Sequence, residues 1–125
     1  MNVAIPVLRV SNSSVAEEFY CHRLGFRLEF VHRADENKAD PCYMGITRDG
    51  AWLHISSFPG DGVFGGVAYI LVEDVDALHA EFLTKSIRIA VGPTDQTWGS
   101  REMYIRDADR NCIRFASRSL SKPVE

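Results

Sequence analysis

The chain has 125 residues, of which 46% are hydrophobic and 25% are charged, a composition typical of a single folded domain with its own core. Its net charge of −3, with basic residues spread along the chain, argues against nucleic acid as a partner and favours a neutral or cationic small ligand. No apolar run is long enough to cross a membrane, and the first ten residues lack the charged start and cleavage site of a signal peptide. We therefore expect a cytoplasmic protein that does not bind membranes.

The first half of the chain is predicted to form a strand, a helix and three further strands. The strand at residues 3–10 is interrupted by Pro6, because proline cannot donate to a β-ladder. The helix begins near Asn12 or Ser14, where Ser14 and Glu17 would form a capping box. Periodicity and turn residues then predict a helix end at Gly25, a strand at 26–31, a polar loop at 34–41 and a hairpin of 42–48 with 51–57.

The second half repeats this order. A linker rich in glycine and proline at residues 58–66 precedes a strand at 67–72 and a helix that Asp74 caps. A short strand at Ile87 and Ile89, a loop at 91–100 and a hairpin of 101–107 with 111–117 follow. The three cysteines, which are Cys21, Cys42 and Cys112, are odd in number and widely spaced, and this predicts reduced packing thiols.

Two segments show the duplication directly, since ITRDGAWLHIS at residues 46–56 is similar to IRDADRNCIRFA at 105–116. We predict an α+β fold of two pseudo-symmetric βαβββ modules, which form a curved, cleft-shaped mixed sheet with helices on its outer face. The modules would span about 1–58 and 67–118 of one domain, followed by a tail at 119–125. A duplicated sheet of this kind is expected to bind a ligand on the face that the helices leave open.

Four segments carry a resemblance to a known family: AIPVLRV at 4–10, EFYCHRLGF at 18–26, TRDGAWLHIS at 47–56 and QTWGSREM at 96–103. They resemble, in the same order, segments of the vicinal oxygen chelate superfamily, which includes glyoxalase I, extradiol dioxygenases and bleomycin resistance proteins. The similarity covers residues 4 to about 118 and is closest to the bleomycin resistance proteins. It implies a homodimer with an exchange of the N-terminal strand near Pro6.

Metal-using members of this superfamily place ligands on the first and last strand of each module. The resemblance puts these ligand positions at Ile5, His54, Val67 and Arg114. Isoleucine and valine have no donor atom, and a protonated arginine repels a divalent cation. We therefore expect no metal, no cofactor and no catalytic set, and ligand binding becomes the favoured function.

Strand alternation places Trp52 and His54 on one face of their strand, and Arg114 on the corresponding face of the last strand. The resemblance implies that Trp98 stacks on the ligand and that other aromatic side chains assist it. The predicted ligand-binding residues are Phe30, Tyr43, Trp52, His54, Tyr69, Trp98, Arg101 and Arg114.

Several of these residues have a second interpretation. Phe30 and Tyr43 could be core residues, and Trp98 could anchor its loop. His54 could be a hydrogen-bonding wall residue, a histidine satisfied within the protein, or a general base without a second catalytic group. Arg114 could bind an anionic or carbonyl group, or could pair with Glu102.

The resulting hypothesis is metal-independent sequestration of an aromatic organic ligand, most specifically a bleomycin-type glycopeptide antibiotic. The alternative is a metal-dependent, glyoxalase-like lyase or dioxygenase with ligands such as His54, Glu102 and His32. A sensor or a partner-binding module would require a further domain or a large exposed apolar patch.

Overall fold

The structure, a computed structural model, describes residues 1–119, so nearly all of the predicted tail lies outside the described residues. Its first module contains β1 (Val7–Arg9), α1 (Ser13–Glu17), a π-helical continuation (Glu18–Arg23), β2 (Arg27–Arg33), β3 (Cys42–Arg48) and β4 (Ala51–Ser56). The second module contains β5 (Val67–Leu71), α2 (Val75–Thr84), β6 (Val91–Asp95), β7 (Ser100–Arg106) and β8 (Cys112–Arg118).

Each module forms one four-stranded mixed sheet, with strand order β1-β4-β3-β2 in the first and β5-β8-β7-β6 in the second. The first strand of each module pairs in parallel with the last, and the other neighbours are antiparallel. The predicted α+β fold of two βαβββ modules is thus confirmed. The described residues divide into two compact units, Met1–Gly66 with Asp107–Asn111, and Val67–Arg106 with residues 112–119.

Side-chain caps fix the starts of both helices. Asn12 caps α1 by accepting a hydrogen bond from the Val15 amide at 3.0 Å, which decides between the two predicted caps. Asp74 caps α2 as predicted, and accepts from the Ala77 amide at 3.0 Å. The first helical segment stops before Gly25, whose φ of 81° suits glycine at a helix end.

The edge strands differ from the prediction. β1 begins at Val7, because the preceding Pro6 has no amide to donate, although its carbonyl accepts from the His54 amide at 2.9 Å. The strand predicted at residues 87–89 is wrong, and β6 lies instead within the predicted loop, at Val91–Asp95. β6 contains a glycine and a proline and has a register shift, which an edge strand tolerates. Its sequence therefore lacks the regular alternation of apolar and polar residues by which a strand is predicted.

Each sheet buries one face in a core of its own. In the first unit Ile46, Leu53 and Ile55 are fully buried. Tyr20 of the helical segment and Leu24, which directly follows that segment, are also fully buried. In the second unit Phe82 of α2 packs edge-on against Phe115 of β8, with ring centroids 5.6 Å apart. Burying each such side chain stabilises the fold by about 1.5–3 kcal/mol.

A polar loop at Asp107–Asn111 completes the first unit. The buried Asn111 donates from Nδ2 to the Arg9 carbonyl at 2.7 Å and accepts from the Gly66 amide at 2.8 Å. The Tyr20 hydroxyl donates to Asp107 at 2.7 Å. These bonds hold β1 and the end of the linker in place.

Two of the three cysteines, Cys42 and Cys112, are buried, and Cys21 is partly buried. Cys21, Cys42 and Cys112 are free thiols, as predicted. Burial, assisted by the charge of Glu17, raises the pKa of Cys21 to about 11, and burial also raises the pKa of Cys42. Within residues 1–119, no helix is long and apolar enough to cross a membrane.

Candidate ligand-binding faces

The first sheet gathers four of the predicted residues on the face opposite its buried core. Cross-strand pairing sets His54 beside Gly45 and Gly45 beside Phe30, while Trp52 and Tyr43 lie two residues away on the same strands. Leu53 and Ile55, which alternate with them, are buried on the other face, as predicted. We call Phe30, Tyr43, Trp52 and His54 the His54 cluster.

The rings of this cluster are arranged around the imidazole. Phe30, Tyr43 and Trp52 meet His54 edge to face, with centroid distances of 5.4, 5.1 and 6.2 Å. Phe30 also stacks on Tyr43 at 6.3 Å, with 13° between the rings. Phe30 is 42% exposed and Trp52 is 37% exposed, so the cluster keeps aromatic surface open to solvent.

Gly45 makes this arrangement possible. A Cβ added to Gly45 would lie 2.1 Å from the nearest Phe30 ring atom, far inside van der Waals contact. The Phe30 ring therefore lies against the backbone of β3, in the space that any other residue would fill.

The surroundings of His54 favour the neutral form of its imidazole. Its Nδ1 lies 2.7 Å from the Tyr43 hydroxyl, and burial lowers its pKa below the usual 6.5. The imidazole tautomer decides which group donates in this bond: when the ring proton is on Nε2, the Tyr43 hydroxyl donates to Nδ1 and Nε2–H is available to another group. Burial, with the nearby charge of Asp61, raises the pKa of Tyr43 and keeps its hydroxyl protonated.

The second sheet carries a different cluster, centred on a fully buried carboxylate. Glu102 accepts hydrogen bonds from the Tyr69 and Tyr104 hydroxyls at 2.5 and 2.9 Å. Its Oε2 also accepts from Ser100 Oγ at 2.7 Å and from the indole Nε1 of Trp98 at 3.2 Å. We call Tyr69, Trp98, Ser100, Glu102 and Tyr104 the Glu102 cluster.

Hydrogen bonding controls the ionisation of this cluster. Burial acts to raise the pKa of Glu102, but four donated hydrogen bonds outweigh it, and the pKa falls below its usual value. Burial and the bond to Glu102 raise the pKa of Tyr69, and the bond to Glu102 followed by burial raises that of Tyr104. The result is one anion that holds two neutral phenols and an indole in fixed positions.

These fixed rings still face solvent. Trp98 is 62% exposed and Tyr69 is 47% exposed, although their polar atoms are bound to the buried carboxylate. A ring with one tethered edge and an open face can stack on a flat ligand.

Arg114 lies in the middle of the second sheet, paired with Tyr69 on one side and Tyr104 on the other. Its guanidinium carbon sits 4.8 Å from the centre of the Tyr104 ring. The suggested ion pair with Glu102 is wrong, because phenols, a serine and the Trp98 indole occupy that carboxylate instead.

The structure does not bring Arg101 to either cluster. Its guanidinium binds Asp76 at 2.9 and 3.1 Å and Asp95 at 3.3 Å. Because Arg101 and Glu102 are adjacent in β7, their side chains point to opposite faces, and Arg101 connects the sheet to the first turn of α2. We leave Arg101 out of the candidate site.

The alternative metal ligands have other roles. The Nδ1 atom of His54 is hydrogen-bonded to the Tyr43 hydroxyl. The His32 ring stacks on Phe58 with ring centroids 6.1 Å apart, and the Glu102 carboxylate accepts hydrogen bonds from four side chains. Across residues 1–119, no three His, Cys, Asp or Glu side chains come together in a way that could hold a metal ion.

Two features of the site were missed by sequence reasoning. Tyr104 was not assigned a role, although it alternates with Glu102 on β7 and this spacing could have identified it. Glu102 was considered as a metal ligand or as a partner of Arg114, and its actual role depends on four donors that tertiary structure brings together.

Comparison with known proteins gives a family and a fold. A family model described as glyoxalase superfamily protein matches residues 1–121. A bleomycin-binding protein solved in complex with bleomycin superposes with a TM-score of 0.75 at 21% identity, over 95% of this chain and 100% of that chain. TnmS3, an antibiotic-binding protein from a Streptomyces species, gives a TM-score of 0.72 at 24% identity, over 95% of this chain and 98% of that one.

A member of the glyoxalase/bleomycin resistance protein/dioxygenase superfamily from Sphaerobacter thermophilus gives a TM-score of 0.72 at 19% identity, over 94% of this chain and 98% of that chain. Among curated proteins, the sequence comparison found no match. The match to the family model spans nearly the whole chain, and the solved structures share its two βαβββ modules. The chain belongs to the glyoxalase superfamily, and bleomycin-binding proteins are among the structures that share its fold.

Proposed function

We propose that this protein binds and sequesters a small or medium-sized organic ligand with flat aromatic rings, without a metal ion and without chemical turnover. The observation that carries the proposal is the set of half-exposed aromatic rings on the open faces of the two sheets: Phe30, Trp52, Tyr69 and Trp98. Exposed aromatic rings that cluster on one face of a sheet are typical of ligand-binding surfaces.

Fixed geometry supports binding. Tyr69 and Trp98 are tethered to Glu102, and Tyr43 is tethered to His54, so the rings lose little freedom when a ligand stacks on them. The most specific form of the proposal is a bleomycin-type glycopeptide antibiotic, for which binding alone would give resistance. The bleomycin-binding and antibiotic-binding proteins with the same fold support the ligand class.

We also propose that the protein acts as a homodimer in the cytoplasm, with exchange of its N-terminal segment. Residues 1–6 lie outside the strands, and Met1 and Val3 are exposed apolar side chains. Light scattering should give twice the chain mass, and a variant lacking residues 1–5 should dissociate. A monomeric parent protein would contradict the dimer, and a truncated variant that stays dimeric would contradict the exchange.

The direct test is titration of the purified protein with metal-free and copper-bound bleomycin, followed by tryptophan fluorescence and calorimetry. We expect saturable quenching that is reduced in a Trp98→Ala variant, in which Trp52 remains as the reporter on the first sheet. Absence of both quenching and heat would overturn bleomycin as the ligand. Stoichiometric nickel, zinc, iron or manganese in the purified protein would instead favour the metal-dependent lyase or dioxygenase.

A further inference from the structure

The second sheet holds an arginine that forms no ion pair with any carboxylate of the described residues. Arg114 is partly buried at the centre of the open face, and its Nε is buried without a hydrogen-bond partner. The contact made by its guanidinium is with the ring of Tyr104, at 4.8 Å. A guanidinium has five N–H donors, and a buried donor without an acceptor carries a free-energy cost.

The carboxylate on the same face, Glu102, is anionic but accepts its hydrogen bonds from neutral groups and not from Arg114. Glu102 accepts from Tyr69, Trp98, Ser100 and Tyr104, and these donors use both of its oxygens. Within residues 1–119, no carboxylate forms an ion pair with Arg114. Arg9 of the first sheet also has a buried Nε without a partner and a ring contact over Phe64, but its Nη1 donates to the Gly62 carbonyl at 3.3 Å.

Arg114 also lies beside aromatic surface. Its strand neighbours are Tyr69, which is 47% exposed, and Tyr104, and the exposed indole of Trp98 is tied to the same Glu102 as both phenols. The face thus combines flat rings with a cation that lacks an acceptor. An oxygen anion on a flat ligand would supply charge-assisted hydrogen bonds to that cation, and the planar guanidinium fork suits a carboxylate.

From this arrangement we infer that the second sheet selects planar aromatic ligands that carry an oxygen anion, such as a carboxylate, and that Arg114 is the residue that recognises the anion. The inference rests on the proposed function, since it specifies the chemical class of ligand that the same aromatic face takes. It differs from the expectation drawn from the net charge of −3, because the hydrogen-bond donors left without an acceptor at this face belong to Arg114, whereas the anionic Glu102 already accepts four hydrogen bonds.

A matched series of anthracene probes tests whether the face selects an anionic ligand or the cationic ligand that the net charge would favour. The series comprises anthracene carboxylate, anthracene carboxamide and a trimethylammonium analogue, each titrated by calorimetry near neutral pH. The carboxylate should bind about tenfold more tightly than the carboxamide, which corresponds to one charge-assisted hydrogen-bonding contact. The ammonium analogue should bind more weakly than both.

Two substitutions assign the preference to one residue. Arg114→Gln should reduce the carboxylate preference to about twofold or less, while affinity for the carboxamide changes little. Arg88→Gln removes the same charge from an exposed position between α2 and β6 and should leave the preference intact. Circular dichroism of each variant checks folding, and Arg114→Lys keeps the charge without the planar fork.

The outcomes are distinct. If no probe binds the parent protein, the proposed function fails for flat ligands, and the inference fails with it. If the carboxamide or the ammonium analogue binds as tightly as the carboxylate, ligand binding stands but the selection for an anion is wrong. If Arg114→Gln keeps the tenfold preference, another group recognises the anion and the assignment to Arg114 is overturned.

Discussion

The indole Nε1 of Trp98 donates a hydrogen bond to Oε2 of the buried Glu102 across 3.2 Å, although the indole ring itself is 62% exposed. The exposed ring is therefore oriented from inside the protein. In the proposed function Glu102 is a positioning residue, because it would act on a ligand only through Trp98 and Tyr69.

The first prediction tests this positioning. Trp98→Ala should weaken binding of anthracene carboxylate by about 2 kcal/mol, a value typical of an aromatic binding residue. Trp98→Phe and Glu102→Gln should each weaken binding by about 0.5–1.5 kcal/mol. Either change loosens the hydrogen bond that orients the stacking ring, so the ring loses more conformational entropy when the ligand binds. Calorimetry supplies the affinities.

The double variant is the control for an indirect effect. If Glu102 acts through Trp98, adding Glu102→Gln to Trp98→Ala should cost less than Glu102→Gln costs alone. Fully additive losses would show that the two residues act independently.

A second prediction concerns acid stability. Because the pKa of Glu102 is lowered in the folded protein, its stabilising contribution is complete above the unfolded pKa of about 4.5 and is lost as pH falls through the lower folded pKa. The parent protein should therefore lose stability relative to Glu102→Gln across this window. Urea unfolding at several pH values measures the difference, and a gap between the two proteins that is independent of pH would contradict it.

A third prediction follows from the contact between Gly45 and Phe30. Gly45→Ala should push the Phe30 ring off its stack with Tyr43 and lower the unfolding free energy by about 1 kcal/mol, because the half-exposed ring can rotate away. Gly92→Ala is the matched control, since a Cβ there meets nothing within 4 Å. Chemical denaturation of both variants should separate them, and equal stabilities would remove the steric argument.

A fourth prediction concerns His54. Its pKa should lie below 6.5, because burial disfavours the imidazolium. Between its ordinary pKa and the lower folded pKa the unfolded chain binds more protons, so His54 should make stability rise with pH in that window. An NMR titration of the ring protons, assigned with a His54→Gln variant, gives the pKa directly, and a value at or above 6.5 would contradict the predicted effect of burial on this ring.

A fifth prediction addresses the polar loop that holds β1. Asn111→Ala should lower the unfolding free energy by about 1–3 kcal/mol, since it leaves the Arg9 carbonyl and the Gly66 amide without their partner. Asn37→Ala, in an exposed loop, should change stability little. Urea denaturation of both proteins is the test, and similar losses in the two variants would show that the loop contributes no specific stability.

The sequence by itself determined the order of elements and the side of each strand that faces the core. Hydrophobic alternation and turn residues are local properties, so they correctly placed Leu53 and Ile55 under the sheet and Trp52 and His54 on the open face. The caps at Asn12 and Asp74 and the hairpin at Asp49-Gly50 are equally local. β6 was missed because an edge strand needs neither alternation nor a full ladder.

Tertiary structure decided which polar groups meet. Nothing in the spacing of Tyr69, Trp98 and Glu102 shows that one carboxylate would hold both rings, because β5 reaches β7 only through the intervening β8. The same pairing of distant strands left Arg114 beside two phenols instead of a carboxylate and turned Arg101 toward α2. Periodicity fixes the face of a side chain, but cross-strand register, which depends on the whole sheet, fixes its neighbours.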